Sequence, residues 1–100
     1  MRLVKDAGEF EWDKGNIGKN LRHQVEDQEV EEVFSDERRF IFKDRVHSQK
    51  EERFRIIGRT KRGRLLFVVF TKRRKKIRAI SARDINKKEV HLYEKKVSVT

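Results

Sequence analysis

The stretch EERFRIIGRTKRGRLLFVVFTKRRKKIRAISAR, residues 51–83, decides the fold of this chain. Two turn signals, TKRG at 60–63 and KRRKK at 72–76, divide it into three runs of β-forming residues. We therefore predict three antiparallel strands joined by two short hairpins. Their approximate bounds are 53–59, 65–71 and 77–83.

The middle run, LLFVVFT at 65–71, is apolar at positions that face both sides of a sheet. We predict that this strand is central and covered on both faces. The flanking runs alternate, and in the third run the alternation puts Ile77, Ala79 and Ser81 on one face and Ala82 on the other. Because 51–83 also holds 13 Lys or Arg against 2 Glu, the sheet should present a dense positive surface.

The rest of the chain predicts two further strands and three helices. Alternation of aromatic and polar residues predicts strands at 9–12 and 38–44. Apolar residues at helical spacing predict helices at 13–23 and 27–34, and the capping-box pattern NKKE at 86–89 predicts a helix near the C-terminus. The predicted fold class is α+β: a mostly antiparallel β-sheet with two N-terminal helices and one C-terminal helix.

The predicted first helix depends on a buried stripe formed by Ile17, Leu21 and Val25. Glycines within 13–23 weaken this helix, so packing must hold it. Asn16 and Asn20, one helical turn apart, are interpreted as ordinary exposed polar residues.

The length of 100 residues fits a single domain, which we expect to span residues 1–100. Cysteine is absent, which excludes disulfides and thiolate metal sites. Residues 1–13 hold no long apolar segment typical of a secretory signal, and no run approaches the roughly 18 apolar residues of a membrane span. We therefore expect a soluble cytoplasmic protein with no membrane partner.

The formal net charge of +10 points to a polyanionic partner such as nucleic acid, an acidic membrane surface or an acidic protein. The charge is divided along the chain. Residues 1–34 carry 5 basic and 9 acidic side chains, whereas residues 35–100 carry 22 basic and 8 acidic ones. The alternative interpretation is the charged surface of a thermophilic protein, but such surfaces usually mix both signs.

A series of short motifs runs through the chain from about residue 9 to residue 95. They are FEWD at 10–13, Asn16, Asn20, HS at 47–48, EERF at 51–54, IG at 57–58, GRLLFVVFT at 63–71, IRAISAR at 77–83, Glu89 and LYE at 92–94. In this order they resemble the BrnT family of toxins. The chain departs from the family pattern at Lys14-Gly15 and at Asp84-Ile85, where members usually carry a basic residue first.

The resemblance implies a RelE-like ribonuclease toxin of a type II toxin–antitoxin system, which cleaves RNA and inhibits translation. It also implies a BrnA-type antitoxin that binds and neutralises the toxin. Such an antitoxin carries the DNA-binding domain, so operator DNA would be contacted only through it. A toxin–antitoxin heterotetramer is one form that the complex could take.

RNA can be cleaved without a metal ion if a protein supplies a base for the 2′-hydroxyl, a cation for the charged phosphate and an acid for the leaving 5′-oxygen. Arginine suits the second role because its planar fork matches phosphate oxygens. Arg83, at the end of a strand, is the leading catalytic candidate. Ser81, two residues earlier, could position a phosphate, and Arg53 and Arg78 are further cationic candidates.

Candidates for proton transfer are His47, His91, Glu51 and Glu52. Histidine titrates near neutrality and can act as either base or acid. The alternative for each His is an ordinary surface imidazole, and for each Glu it is an ion pair with a neighbouring Arg. The spacing of the His residues favours no metal site, and no cofactor is expected.

The basic turn is the strongest binding signal. It consists of Lys72, Arg73, Arg74, Lys75 and Lys76. Five consecutive cations repel one another unless a polyanion neutralises them, so the turn predicts contact with RNA phosphates or ribosomal RNA. A solvated loop is the alternative. Three classes of function stay open: an endoribonuclease, a non-catalytic RNA- or ribosome-binding module, and a structural partner protein whose acidic helix and basic sheet bind one regulator.

Overall fold

The computed structural model describes residues 9–46 and 51–99. Its elements in chain order are β1 (Glu9–Phe10), a 3-10 helix (Lys19–His23), α1 (Asp27–Val33), β2 (Phe40–Lys43), β3 (Arg53–Arg59), β4 (Leu65–Arg73), β5 (Lys76–Asp84) and α2 (Lys87–Val99). The three strands predicted within 51–83 are confirmed. No helix of these residues is both long enough and apolar enough to cross a membrane.

The five strands form one sheet in the order β1-β5-β4-β3-β2. Neighbouring strands from β2 to β5 run antiparallel, whereas β1 runs parallel to β5, with Phe10 opposite Ile77. The sheet is therefore mixed. The predicted class, a mostly antiparallel sheet with two N-terminal helices and one C-terminal helix, is wrong, because the edge pairing is parallel and the first N-terminal helix does not form.

Strand β4 lies at the centre of the sheet and is covered on both faces, as its apolar sequence predicts. On one face Leu66, Val68 and Phe70 pack in a core with Val30 and Val33 of α1. We call this the α1 face. The opposite face, the α2 face, packs Phe67 against Ile57 and Tyr93. The cluster of buried residues on the α2 face is smaller than that on the α1 face, so helix α2 covers only part of the α2 face of the sheet.

A β-bulge in the β4–β5 pair reverses the side-chain alternation of β5. Val69 pairs with Ser81 while its neighbour Phe70 pairs with Ala79, so Ile80 is left without a paired residue. As a result Ala82 joins Ala79 in the core of the α1 face. The predicted alternation, with Ala79 and Ser81 on one face and Ala82 on the other, is therefore wrong.

In place of the predicted helix at 13–23, the chain forms turns and the short 3-10 helix. Gly18, which precedes that helix, has φ 65°, a left-handed conformation that ends regular α-helix geometry and that glycine adopts without strain. Of the predicted buried stripe, only Val25 is buried; Ile17 and Leu21 are 60% and 56% exposed.

Two buried asparagines hold this segment against β5. The side-chain amide of Asn16 donates to the carbonyls of Glu11 (2.9 Å) and Ala79 (3.2 Å). The Asn20 Oδ1 accepts the Ala82 backbone N–H at 2.9 Å. The interpretation of Asn16 and Asn20 as exposed residues is wrong, because the edge of the sheet needs their amides to satisfy its backbone groups.

Helix α1 approaches β3 closely at Gly58. A Cβ atom at this position would lie 2.7 Å from Val33 Cγ1 and 2.9 Å from the Val33 carbonyl oxygen. Only glycine lets the helix pack at this distance, so Gly58 sets the depth at which α1 covers the sheet.

We expect Asn20→Ala to lower the free energy of unfolding by about 1–3 kcal/mol, because the buried Ala82 N–H loses its acceptor. Urea denaturation at neutral pH measures the change. Lys19→Ala, an exposed neighbour in the same 3-10 helix, is the control and should change stability by no more than about 0.5 kcal/mol. Equal effects of the two substitutions would show that Asn20 is not an anchor.

Candidate nucleic-acid interface and catalytic site

The strand register places several predicted site residues together on the α2 face. One row across β3, β4 and β5 is Ile57, Phe67 and Arg83; the next is Arg55, Val69 and Ser81; the third is Arg53, Thr71 and Arg78. Within a row, the Cβ atoms of directly opposite side chains are about 5 Å apart. Successive rows on this face are two residues apart along each strand, or roughly 7 Å. Arg83, Ser81 and Arg53 therefore share one surface.

Arg83 is held from two sides. Its Nη1 and Nη2 groups donate to the two carboxylate oxygens of Glu89 at 2.9 and 2.8 Å. Its guanidinium carbon lies 4.3 Å from the centre of the Phe67 ring, a cation–π contact. The hydrogen bonds to Glu89 raise the pKa of Arg83 above its ordinary value, so the guanidinium stays charged. Its side chain nevertheless stays 41% exposed.

Glu89 is fixed by the first turn of α2, where the predicted capping box is confirmed. The Asn86 backbone N–H donates to Glu89 Oε1 at 2.9 Å, and the Glu89 N–H donates to Asn86 Oδ1 at 3.0 Å. Burial alone would raise the pKa of Glu89, but the hydrogen bonds from Arg83 and Asn86 lower it below its ordinary value. Glu89 is thus a carboxylate partner for Arg83, a role that the sequence pattern did not indicate.

Arg55 is a second arginine that sequence reasoning did not single out. Its guanidinium carbon lies 6.0 Å from the Phe42 ring centre and 5.5 Å from that of Phe67. Its Nε atom lies 3.2 Å from Asp44 Oδ2 in an ion pair, although the Nε–H itself makes no hydrogen bond within the described residues. The α2 face thus carries two arginines against the same Phe67 ring.

Arg78 is largely occupied by carboxylates. It makes two hydrogen bonds to Asp13, at 2.7 and 3.0 Å, and one of 3.1 Å to Glu11, and its side chain is only 14% exposed. The hydrogen bond from Arg78 holds the pKa of Asp13 below its ordinary value. Arg78 therefore has a structural role: its hydrogen bonds to Glu11 and Asp13 hold this part of the chain against β5.

The basic turn is a two-residue hairpin, with Arg74 and Lys75 at its tip. Arg73 pairs with Glu51 at 3.0 Å, and Lys76 lies 3.9 Å from Glu9. Arg74 and Lys75 are exposed, and neither has an ion pair within the described chain.

Of the other turn cations, Lys72 is half-buried. Lys76 and Arg83 lie near opposite ends of β5, roughly 20 Å apart at the rise of a strand. The turn and Arg83 are thus separate parts of the surface.

The candidates for proton transfer do not gather around Arg83 in the described chain. Glu51 lies at the hairpin end beside Arg73, and Glu52 pairs with Lys43 at 3.5 Å. His91 is exposed and, two positions after Glu89, points to the other side of α2.

His47 lies outside the described residues. Where the structure does describe the chain, no group of three or more potential metal ligands occurs.

Arg64 is a structural residue that sequence reasoning missed. It donates to Asp84 at 2.7 Å, to Glu29 at 3.2 Å and to the Gln24 carbonyl at 2.6 Å. Asp84 is the main partner of Arg64. The sequence signal for this pairing is Asp84 itself, a carboxylate at the end of a strand that contains Arg78 and Arg83.

The fold and the site define a small basic α+β protein that presents arginines on one open face of its sheet. The family described as the BrnT ribonuclease toxin of type II toxin–antitoxin systems matches residues 12–89. Because the match covers most of the chain, the protein belongs to this family and is a ribonuclease toxin whose partner is a protein antitoxin. No curated protein matches the chain.

The Arg64–Asp84 contact predicts a pH-dependent contribution to stability. The hydrogen bond from Arg64 lowers the pKa of Asp84 below its ordinary value. The stabilisation is therefore present above about pH 4, the pKa of an unfolded Asp, and is lost as the pH falls through the lower folded pKa. We expect Asp84→Asn to be less stable than wild type at pH 7, by no more than about 1 kcal/mol because Asp84 is exposed.

Urea denaturation of both proteins at pH 7, 5 and 3 tests this expectation. The difference between them should persist at pH 5 and shrink toward pH 3, because pH 3 lies below the pKa of about 4 of an unfolded Asp and the contribution falls from there downward. A constant difference over the whole range would mean that the charge of Asp84 does not act on stability.

Proposed function

We propose that the protein is a metal-independent endoribonuclease that cleaves RNA on the α2 face and thereby inhibits translation. The observation that carries the proposal is the geometry of Arg83, which is half-exposed, stacked on Phe67 and fixed by Glu89. A fixed guanidinium on an open surface suits the stabilisation of a phosphate that gains negative charge. Ser81 lies one row away, within reach of the same phosphate.

In the proposed reaction the 2′-oxygen of a ribose attacks the adjacent phosphorus, and the bond from phosphorus to the 5′-oxygen breaks. The products are a 2′,3′-cyclic phosphate and a 5′-hydroxyl end. A base accepts the proton of the 2′-hydroxyl and an acid protonates the leaving oxygen. Arg83 donates to the non-bridging oxygens, while the Ser81 hydroxyl holds one of them in place.

The groups that move protons are proposed from the sequence. His47, His91, Glu51 and Glu52 remain the candidates, and Arg53 is a further cation on the face that carries Arg83. His91 and Glu51 lie apart from Arg83 in the fold. For either of them to act in the reaction, the chain would have to move when RNA binds.

We further propose that the antitoxin is of the BrnA type and neutralises the toxin by binding it in the cytoplasm. Operator DNA would then be contacted through the DNA-binding domain of the antitoxin, in a complex such as a heterotetramer. The distribution of charge supports separate surfaces for RNA and for the antitoxin, because the acidic helix α1 and the cationic α2 face lie on opposite sides of the sheet. An RNA-binding surface and a protein-binding surface can therefore coexist.

A second candidate function is a non-catalytic RNA- or ribosome-binding module. The exposed tip of the basic hairpin, Arg74 and Lys75, favours it, because these cations can bind phosphates without any chemistry. Cleavage of purified RNA in the presence of EDTA distinguishes this module from the proposed metal-independent ribonuclease. Binding without cleavage under these conditions, or cleavage only with added metal, would contradict the proposed metal-independent reaction.

We expect Arg83→Ala to reduce RNA cleavage in EDTA by about 10²–10³-fold, because the charged phosphate loses its fixed donor. The variant should also lose toxicity when it is expressed without antitoxin. Arg22→Ala is the matched control: it removes an exposed arginine of the 3-10 helix and should keep full activity. Circular dichroism and urea denaturation show whether Arg83→Ala folds. A folded, fully active Arg83→Ala protein would exclude Arg83 from the reaction.

We expect Arg74→Ala and Lys75→Ala each to reduce the salt dependence of RNA binding. If each side chain contacts one phosphate of single-stranded RNA, the slope of log K against log salt should change by about 0.7 per substitution. Lys19→Ala is the control, because it removes an exposed cation from the 3-10 helix, which is bonded to Ala82 near the end of β5 away from the hairpin. Unchanged slopes in both turn variants would place the hairpin outside the RNA interface.

A further inference from the structure

The hydrogen bonds of Arg83 occupy only part of its guanidinium. A guanidinium has five N–H donors. The two on Nη1 are used by Glu89 Oε1 at 2.9 Å and by the Asp84 carbonyl at 3.0 Å, and one on Nη2 is used by Glu89 Oε2 at 2.8 Å. The Nε–H and the second Nη2–H have no acceptor among the residues that the structure describes.

These two N–H groups lie along one edge of the planar guanidinium. Parallel donors on such an edge match two oxygens of a phosphate, which is the bidentate geometry that makes arginine a phosphate ligand. Glu89 occupies the other edge, and Phe67 covers one face of the plane at 4.3 Å. Since the side chain is 41% exposed, a ligand can reach it.

We propose that the Nε–Nη2 edge of Arg83 is a subsite for a backbone phosphodiester of RNA, and that Glu89 is the positioning residue that orients this edge. The inference rests on the proposed function, in which Arg83 meets the RNA, and adds the atoms that bind and the residue that holds them. Glu89 is suited to this role because it is only 8% exposed and its carboxylate is anchored by the Asn86 N–H at 2.9 Å.

The proposal makes a prediction opposite to that of simple electrostatics. An acidic residue near a polyanion site repels the ligand, so its replacement by a neutral residue would strengthen RNA binding. If Glu89 instead orients Arg83, neutralising it frees the guanidinium to adopt other rotamers, and binding weakens. The sign of the change therefore separates the two roles.

The experiment measures the affinity of a 2′-O-methyl RNA oligonucleotide, which the protein cannot cleave because the attacking hydroxyl is blocked. We expect Glu89→Gln to weaken binding about tenfold, within the range of coupling between contacting residues. Glu94→Gln is the matched control, since it removes an exposed acidic side chain from the same helix. The control should bind as wild type or slightly more tightly.

Two further variants separate orientation from helix capping. Glu89→Gln in the Arg83→Ala background should weaken binding no further, because Glu89 acts only through Arg83. Asn86→Ala removes the side-chain acceptor of the Glu89 N–H and should lower stability in urea while RNA affinity stays near that of wild type. Urea denaturation of every variant shows that the folded protein is compared.

Unchanged or tighter binding by Glu89→Gln would overturn the positioning role. An additional loss in the Arg83→Ala background would also overturn it, because Glu89 would then act independently of Arg83. If Arg83→Ala binds and cleaves as wild type, the proposed function of Arg83 fails together with the subsite. If Arg83→Ala is defective while Glu89→Gln is normal, only the inference about Glu89 fails.

Discussion

The fold depends on the need to bury both faces of one strand. Strand β4 carries Leu66, Val68 and Phe70 toward α1 and Phe67 toward Tyr93 of α2. Burial of large apolar side chains is worth roughly 1.5–3 kcal/mol each, so the chain gains most when this strand is central. The N-terminal segment and α1 cover one face thoroughly. Helix α2 covers the other face only in part, and the uncovered part is where the arginines lie.

The β-bulge connects this packing to the proposed chemistry. With regular alternation, Arg83 would share a face with Ile77 and Ala79, inside the core under α1. The extra residue in β5, Ile80, reverses the direction of the side chains that follow, so Ala82 enters the core and Arg83 emerges on the α2 face. Bulges often redirect a side chain in this way near functional sites. The same irregularity satisfies the core and exposes the leading catalytic candidate.

Charge pairing explains why a net charge of +10 overstates the free positive surface. Arg78 is paired with Asp13, Arg64 with Asp84 and Glu29, and the N-terminal acidic segment thereby neutralises part of the sheet. These ion pairs join segments far apart in the chain and hold the N-terminal region on the sheet. Arginines that serve as such ties are poorly placed to bind RNA, whereas Arg83 keeps one edge of its guanidinium available.

The sequence by itself determined the three strands within 51–83, the central position of β4, the capping box of α2 and membership of the toxin family, including Arg83 as a candidate. These features follow from alternation, from turn and cap residues and from short motifs, all of which act between near neighbours. Only the tertiary structure decided the parallel edge strand, the bulge, the burial of Asn20 against Ala82 and the pairing of Arg83 with Glu89. Each of these depends on contacts between backbone groups or charged side chains of separate segments. The hydrophobic periodicity within one segment does not indicate which other segment it contacts.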